Sequence, residues 1–242
     1  EFRRVLFRSI MYDNILTNHN TIDSHLYFFN TGKYFVMWCG SYMYITYLND
    51  KKRLGINDLN ETKAIEAKTR IISSTHAILC CLYSSLYLIN SIDYNIWANH
   101  IPMSSGFALF DAYIVTKHYN IFKKGYLPIV LHHVLLIIGP LVIIPTNSYI
   151  ISQSYLFEFT VPILDYNWLL YHKKKQNTTL FKVNCGISLF TFFTFRILNN
   201  LYLTYKIENT NYTVKLFSLI FLLLNLNWFY GLIKLFNREK IN

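Results

Sequence analysis

Two adjacent histidines, His132 and His133, stand inside the apolar run LPIVLHHVLLIIGPLVII, residues 127–144. A histidine beside a carboxylate acts as a general base or a transient nucleophile. In hydrocarbon it needs a polar partner, a cavity or a ligand. Candidate partners lie in other apolar runs: His76, Asp111, Glu158, Arg196, Asn225 and Asn227. Glu158 and Arg196 carry the signs for one buried ion pair that fixes helix packing. His76, beside Ser73, Ser74 and Thr75, is expected to hydrogen-bond across helices. Asp111 has no basic residue near it in sequence to explain a carboxylate there. Successive helical residues turn by about 100°, so one histidine of the pair should face a site while the other packs. Zinc-type spacing is missing, with neither HxxxH nor HExxH present. No metal and no resident cofactor is therefore expected, and no Gly-rich phosphate loop or GxSxG elbow is found.

These residues must be positioned by membrane helices. The 242-residue chain is 53% hydrophobic and 15% charged, against about 25% charged in ordinary soluble domains, and its apolar residues fall in long blocks. A span needs roughly 17–25 mostly apolar residues. Seven stretches qualify: 31–49, 71–90, 101–119, 126–145, 147–170, 181–204 and 214–236. The expected fold is an all-α polytopic membrane protein of about seven transmembrane helices. Pro140 and Pro162 should kink the fourth and fifth, which are joined by a tight turn at Pro145-Thr146-Asn147. Cys39, Cys80, Cys81 and Cys185 all fall in apolar segments and read as small buried hydrophobes. Residues 1–10 read as a non-native sequencing scar and are set aside. Residues 11–62 then hold the first span and a basic loop, and 237–242 form a tail.

Charge orients the bundle. Residues 50–70 contain six Lys/Arg, the 91–100 loop none, the 117–125 loop Lys117, Lys123 and Lys124, and the next turn none. Lys173, Lys174 and Lys175 follow in the next connection. By the positive-inside rule the C-terminus is cytosolic. The net charge of +10 is thus a property of membrane loops, and no nucleic-acid partner is expected. At about 1.5 Å per residue, His76 and His132 come out roughly 8–9 Å from the cytosolic end of their spans. On the same scale Asp111 and Asn227 lie at roughly 12–14 Å, and Glu158 and Arg196 at roughly 18–21 Å. A cavity open to the cytosol would satisfy them together.

In series, these residues resemble a known family. Arg70-Ile71-Ile72-Ser73-Ser74-Thr75-His76-Ala77 is similar to the R-x-x-S-x-x-H-A opening of the TLC domain, named for TRAM, Lag and CLN proteins. Ser105-Gly106-Phe107 with Asp111 resembles its second signature, and His132-His133 its paired histidine. Glu158-Phe159-Thr160-Val161-Pro162 with Asn167-Trp168 resembles its fifth-span region. Arg196 and Asn227-Trp228 match its last two spans. The likeness covers roughly residues 63–236. It implies a six-helix TLC bundle preceded by one extra helix, in the endoplasmic reticulum, with membrane lipids as partners and lipid homeostasis as the role. Arg70, His76, Asp111, His132, His133, Glu158, Asn167, Arg196 and Asn227 would line a lipid pocket or polar network. The family's ceramide synthase branch joins acyl-CoA to a sphingoid base, which would make His132, His133 and Asp111 catalytic. Where that branch carries an H-D-x-[SA]-D-type stretch, this chain has Phe157-Glu158-Phe159-Thr160-Val161-Pro162. The resemblance is therefore closer to the non-synthase members, and Asp165 could stand in for a missing aspartate only at a different spacing. An N-acyltransferase remains the alternative, and a cargo receptor or translocation accessory a second one.

Overall fold

A computed structural model of the chain describes residues 24–143, 148–206 and 212–239. The expected scar at 1–10 and the Pro145-Thr146-Asn147 turn lie outside them. Every regular element among the described residues is helical. Helix α1 is Ser24–Asp50, α2 Glu61–Leu88, α3 Tyr94–Lys117 and α4 Tyr126–Ile143. Helix α5, Ser148–Tyr155, passes through a 3-10 stretch, Leu156–Thr160, into α6, Val161–His172. Helix α7, Thr179–Thr191, continues through a π-helical stretch, Phe192–Leu198, into α8, Asn199–Lys206. Helix α9 is Tyr212–Glu239.

Three of these rods are long and apolar enough to cross a membrane: α2, the run Thr179–Lys206, and Tyr212–Leu235 of α9. A shorter apolar helix, Tyr126–Leu141, holds the histidine pair. The other expected spans fall on α1, α3 and the α5–α6 rod, which carry more polar groups or a break. Large apolar side chains point outward well beyond the three rods, as with Phe29 and Met43 on α1 and Leu127 on α4.

Local chemistry explains where the helices start and stop. Asn60 Oδ1 accepts the Lys63 N–H at 2.9 Å and Asp93 Oδ1 the Ile96 N–H at 2.8 Å, each satisfying an otherwise orphaned first-turn donor. Beyond α2, Asn90 takes φ 57°, the left-handed turn that asparagine tolerates after a helix.

The core sits on α3, which packs against α1, α2 and α4. At Gly106 the α1 and α3 backbones touch, since a Cβ there would lie 2.8 Å from Phe35 N, Thr31 O and Tyr34 Cβ. Trp38 donates its indole N–H to Met103 O at 3.1 Å. Tyr27 lies 2.6 Å from Ser105 Oγ and donates to Ile137 O at 2.7 Å, which ties α1 to both α3 and α4. Pro140 lies within α4, while Pro162 opens α6 just after the 3-10 stretch. The fifth span is broken before that proline, where the ring fits a first helical turn and removes no needed donor.

Candidate functional site

Two departures from α-helical geometry face each other at mid-bundle. The 3-10 stretch carries Glu158 and the π-helical stretch carries Arg196. Arg196 donates Nε–H to Phe157 O at 3.0 Å and to Thr160 Oγ1 at 2.7 Å. Its Nη2 lies 3.7 Å from Glu158 Oε1. A non-α backbone is tolerated inside a membrane protein where other groups satisfy it, and the Arg196 side chain does so here. On the far side Asn225 of α9 donates to Arg196 O at 3.3 Å. The guanidinium also lies 5.7 Å from the Trp228 ring centroid and 5.4 Å from that of Phe192. π-bulges recur at functional sites.

Next to this pair opens a cavity of about 460 Å³. It runs from the basic-loop end of the bundle, where Glu66, Phe122 and Leu235 border it, to Glu158 and Arg196. Both histidines line it. His132 Nε2 lies 3.8 Å from Glu158 Oε1, and His133 Nε2 lies 3.2 Å from Asp111 Oδ2. The two imidazoles are 5.6 Å apart between centroids. The expectation that only one of the pair faces a site is corrected. The α4 face on the cavity, Ile129, His132 and His133, spans about 100°, wide enough for His132 to reach toward α9 and the 3-10 stretch and His133 toward α3. Asp111 finds its partner on α4 rather than near it in sequence.

Asp111 Oδ1 and Nδ1 of His132 and His133 are buried without a hydrogen-bond partner among the described residues, and none of the three atoms opens onto the cavity. Chemically, each histidine has one nitrogen near a carboxylate and one left over. The nitrogens near the carboxylates are both Nε2, at 3.2 Å for His133 and a longer 3.8 Å for His132, so it is the Nε2–carboxylate pairs that offer proton chemistry to the cavity. Among the described residues no three His, Cys, Asp or Glu side chains converge as metal ligands.

The remaining candidate residues fall elsewhere. Arg70 borders the cavity near its mouth and pairs with Asp165, Nη1 to Oδ1 at 2.6 Å. Ser74 Oγ donates to the other oxygen of Asp165 at 2.9 Å. His76 is fully buried but outside the cavity, 2.9 Å from Ser104 Oγ, 3.1 Å from Cys80 Sγ and stacked on Phe107 at 3.9 Å. Asn167 donates to Ser188 Oγ at 2.6 Å and so joins α6 to α7, again outside the cavity. Asn227 is exposed on the outer face of α9. On that helix Asn225, Trp228, Leu232 and Leu235 form an i, i+3, i+4 series facing inward, and Asn227 is turned about 200° from Asn225. That spacing was the signal for Trp228, whose ring lies 5.6 Å from His132.

The depths reckoned from span edges place His132 about 10 Å from Glu158 along the bundle, whereas the two are in near contact. The edges from which these two depths are counted, 126 and 170, fall within two residues of the α4 start and the α6 end, so the two rods are offset along the bundle. Comparison of the chain with protein-family models, with curated proteins and with solved structures finds no match in any of the three.

Proposed function

We propose that this chain is an integral membrane protein of TLC-domain type that binds or handles a lipid in the His132–His133 cavity and so acts in lipid homeostasis. One observation carries the reading. Six of the polar residues singled out by sequence, Arg70, Asp111, His132, His133, Glu158 and Arg196, border one cavity. Buried ionisable groups in a membrane bundle mark sites by default. A void of about 460 Å³ is within the size range of small-molecule pockets.

In this reading all seven helical stretches cross the membrane and residues 63–236 form the domain. The outward Phe29, Met43 and Leu127 then meet acyl chains. The basic loops and the C-terminus are cytosolic, the cavity mouth faces the cytosol, and the membrane is that of the endoplasmic reticulum. The test is lipid analysis of the protein purified in mild detergent. Wild type should retain a defined lipid that Asp111→Asn/Glu158→Gln loses. Equal lipid profiles in both proteins contradict the reading.

A second reading, a ceramide-synthase-like N-acyltransferase, is favoured by the pairing of each histidine with a carboxylate. The amine of a sphingoid base would attack the thioester carbonyl of acyl-CoA. His132 or His133 would take the amine proton and return it to the leaving thiolate, forming amide and free CoA thiol. Microsomes supplied with labelled acyl-CoA and sphingoid base should then yield product that His132→Ala/His133→Ala abolishes. Folded, inserted wild-type protein without product rules this reading out.

A further inference from the structure

Arg70 and Asp165 are boundary residues on two helices at once. On α2, Thr69 and Ser73 face the polar cavity, while Ile71, Thr75 and Ile78 face a separate groove. On α6, Val161 and Leu164 face the cavity, while Pro162, Tyr166 and Leu169 face the groove. Only Arg70 and Asp165 border both voids, and their 2.6 Å ion pair spans the gap between α2 and α6. The groove measures about 330 Å³. Its rim at Ile78 and Tyr166 is exposed, 57% and 42%, on α2, a helix long and apolar enough to cross a membrane.

In a bilayer the rim meets acyl chains, and the groove is then a slot between lipid and the polar cavity with one ion pair across it. Asp165 is mostly buried, 12% exposed, and held by Ser74 as well, whereas the Arg70 side chain is 36% exposed, so the guanidinium is the half of the pair with room to swing away. The guanidinium rests at the same time on the Trp168 ring, with Cζ 4.8 Å from its centroid, a distance suited to cation–π attraction.

Resting on the lipid-handling reading above, we propose that the α2–α6 groove binds the alkyl chain of a bilayer amphiphile whose polar head occupies the His132–His133 cavity. The Arg70–Asp165 pair is the latch the molecule passes. The amphiphile arrives sideways from the membrane, its head drawn to the carboxylates and imidazoles and its chain left among Ile71, Ile78, Pro162 and Leu169.

The test uses full-length protein in lipid vesicles and two long-chain amine probes, one with a diazirine beside the head and one with it mid-chain. After illumination the first should label the peptides of Asp111 or His132–His133, and the second those of Ile71–Ile78 or Tyr166. Tryptophan at two exposed groove positions, Thr75→Trp/Ile78→Trp, should lower both labels about ten-fold. Leu82→Trp, at an exposed position one turn beyond the groove, should lower neither. Asp165→Asn, which frees the latch, should raise cavity labelling. Cavity labelling that is indifferent to the groove tryptophans and to Asp165→Asn overturns the lateral route and leaves the cavity as a lipid site. No labelling of the cavity in any variant overturns both.

Discussion

The bundle contains two groups of buried histidines with opposite surroundings. His132 and His133 each stand near a carboxylate and border a void of about 460 Å³. His76 and His100 are as deeply buried, yet they are wedged among aromatic rings. His76 stacks on Phe107 at 3.9 Å, and His100 stacks on Tyr83 at 5.4 Å and packs edge-on against Tyr155 at 5.1 Å. Their polar contacts are a serine hydroxyl, a thiol and a backbone carbonyl. No acid lies within ion-pair distance of either among the described residues. Burial alone therefore does not distinguish a site from a core. Carboxylate partners together with open space do, because they supply proton chemistry and room for a reactant. His76 and His100 have neither a carboxylate partner among the described residues nor a place on this cavity.

The strongest way to disturb the first group is to unpair its charges. Glu158→Ala or Arg196→Ala leaves a lone charge in the bundle and should destabilise by about 3–5 kcal/mol, read as a fall in the thermal unfolding midpoint in detergent. Arg196→Met/Glu158→Leu should recover most of that loss, since a buried pair is readily replaced by apolar groups of similar volume. Failure of the double variant to recover would mean that the Arg196 bonds to Phe157 O and Thr160 Oγ1 matter more than the ion pair.

Gly106→Ala tests the packing that supports the second group. The new methyl would meet two backbone atoms and a Cβ at 2.8 Å, none at the end of a flexible chain. The expected loss is about 1–3 kcal/mol with the α1–α3 contact loosened, and unchanged stability would contradict the close approach.

His76→Ala should also destabilise, by about 1–3 kcal/mol, while leaving retained lipid unchanged. His133→Gln should do the reverse, keeping stability and weakening lipid retention about ten-fold. If both variants lose lipid in proportion to stability, the contrast between the two groups disappears. Smallest is Asn227→Ala on the outer face of α9, expected to stay within about 0.5 kcal/mol of wild type in the same unfolding assay.

Helix content and the histidine–carboxylate constellation were legible in sequence because long apolar blocks and ionisable residues within them leave a clear pattern. Which residues meet was less so. The 3-10 stretch around Glu158 and the π stretch around Arg196 are joined by the tertiary bonds of one guanidinium, and no local periodicity announces them. Depths counted from span edges failed because the count takes every helix end to lie at one level. The inward face of α9 could have been read from the spacing of Asn225, Trp228, Leu232 and Leu235, which turns Asn227 outward. His76 and Asn167 lie in the motif region yet serve helix contacts, since a motif records position along the chain and not which way a side chain turns. Among the described residues three rods meet the length and apolarity of a span. Tyrosines, serines and Lys33 on α1, and Asn99, His100, Ser104, Ser105 and Asp111 on α3, interrupt the apolar run of those helices.

The most direct measurement is an experimental density map of the protein in a lipid nanodisc, made without added ligand. The proposal predicts elongated density with its polar end within hydrogen-bonding distance of His133, Asp111 or Glu158. Well-ordered side chains around a cavity that holds only water, or a collapsed cavity with the histidines packed like His76, would contradict it.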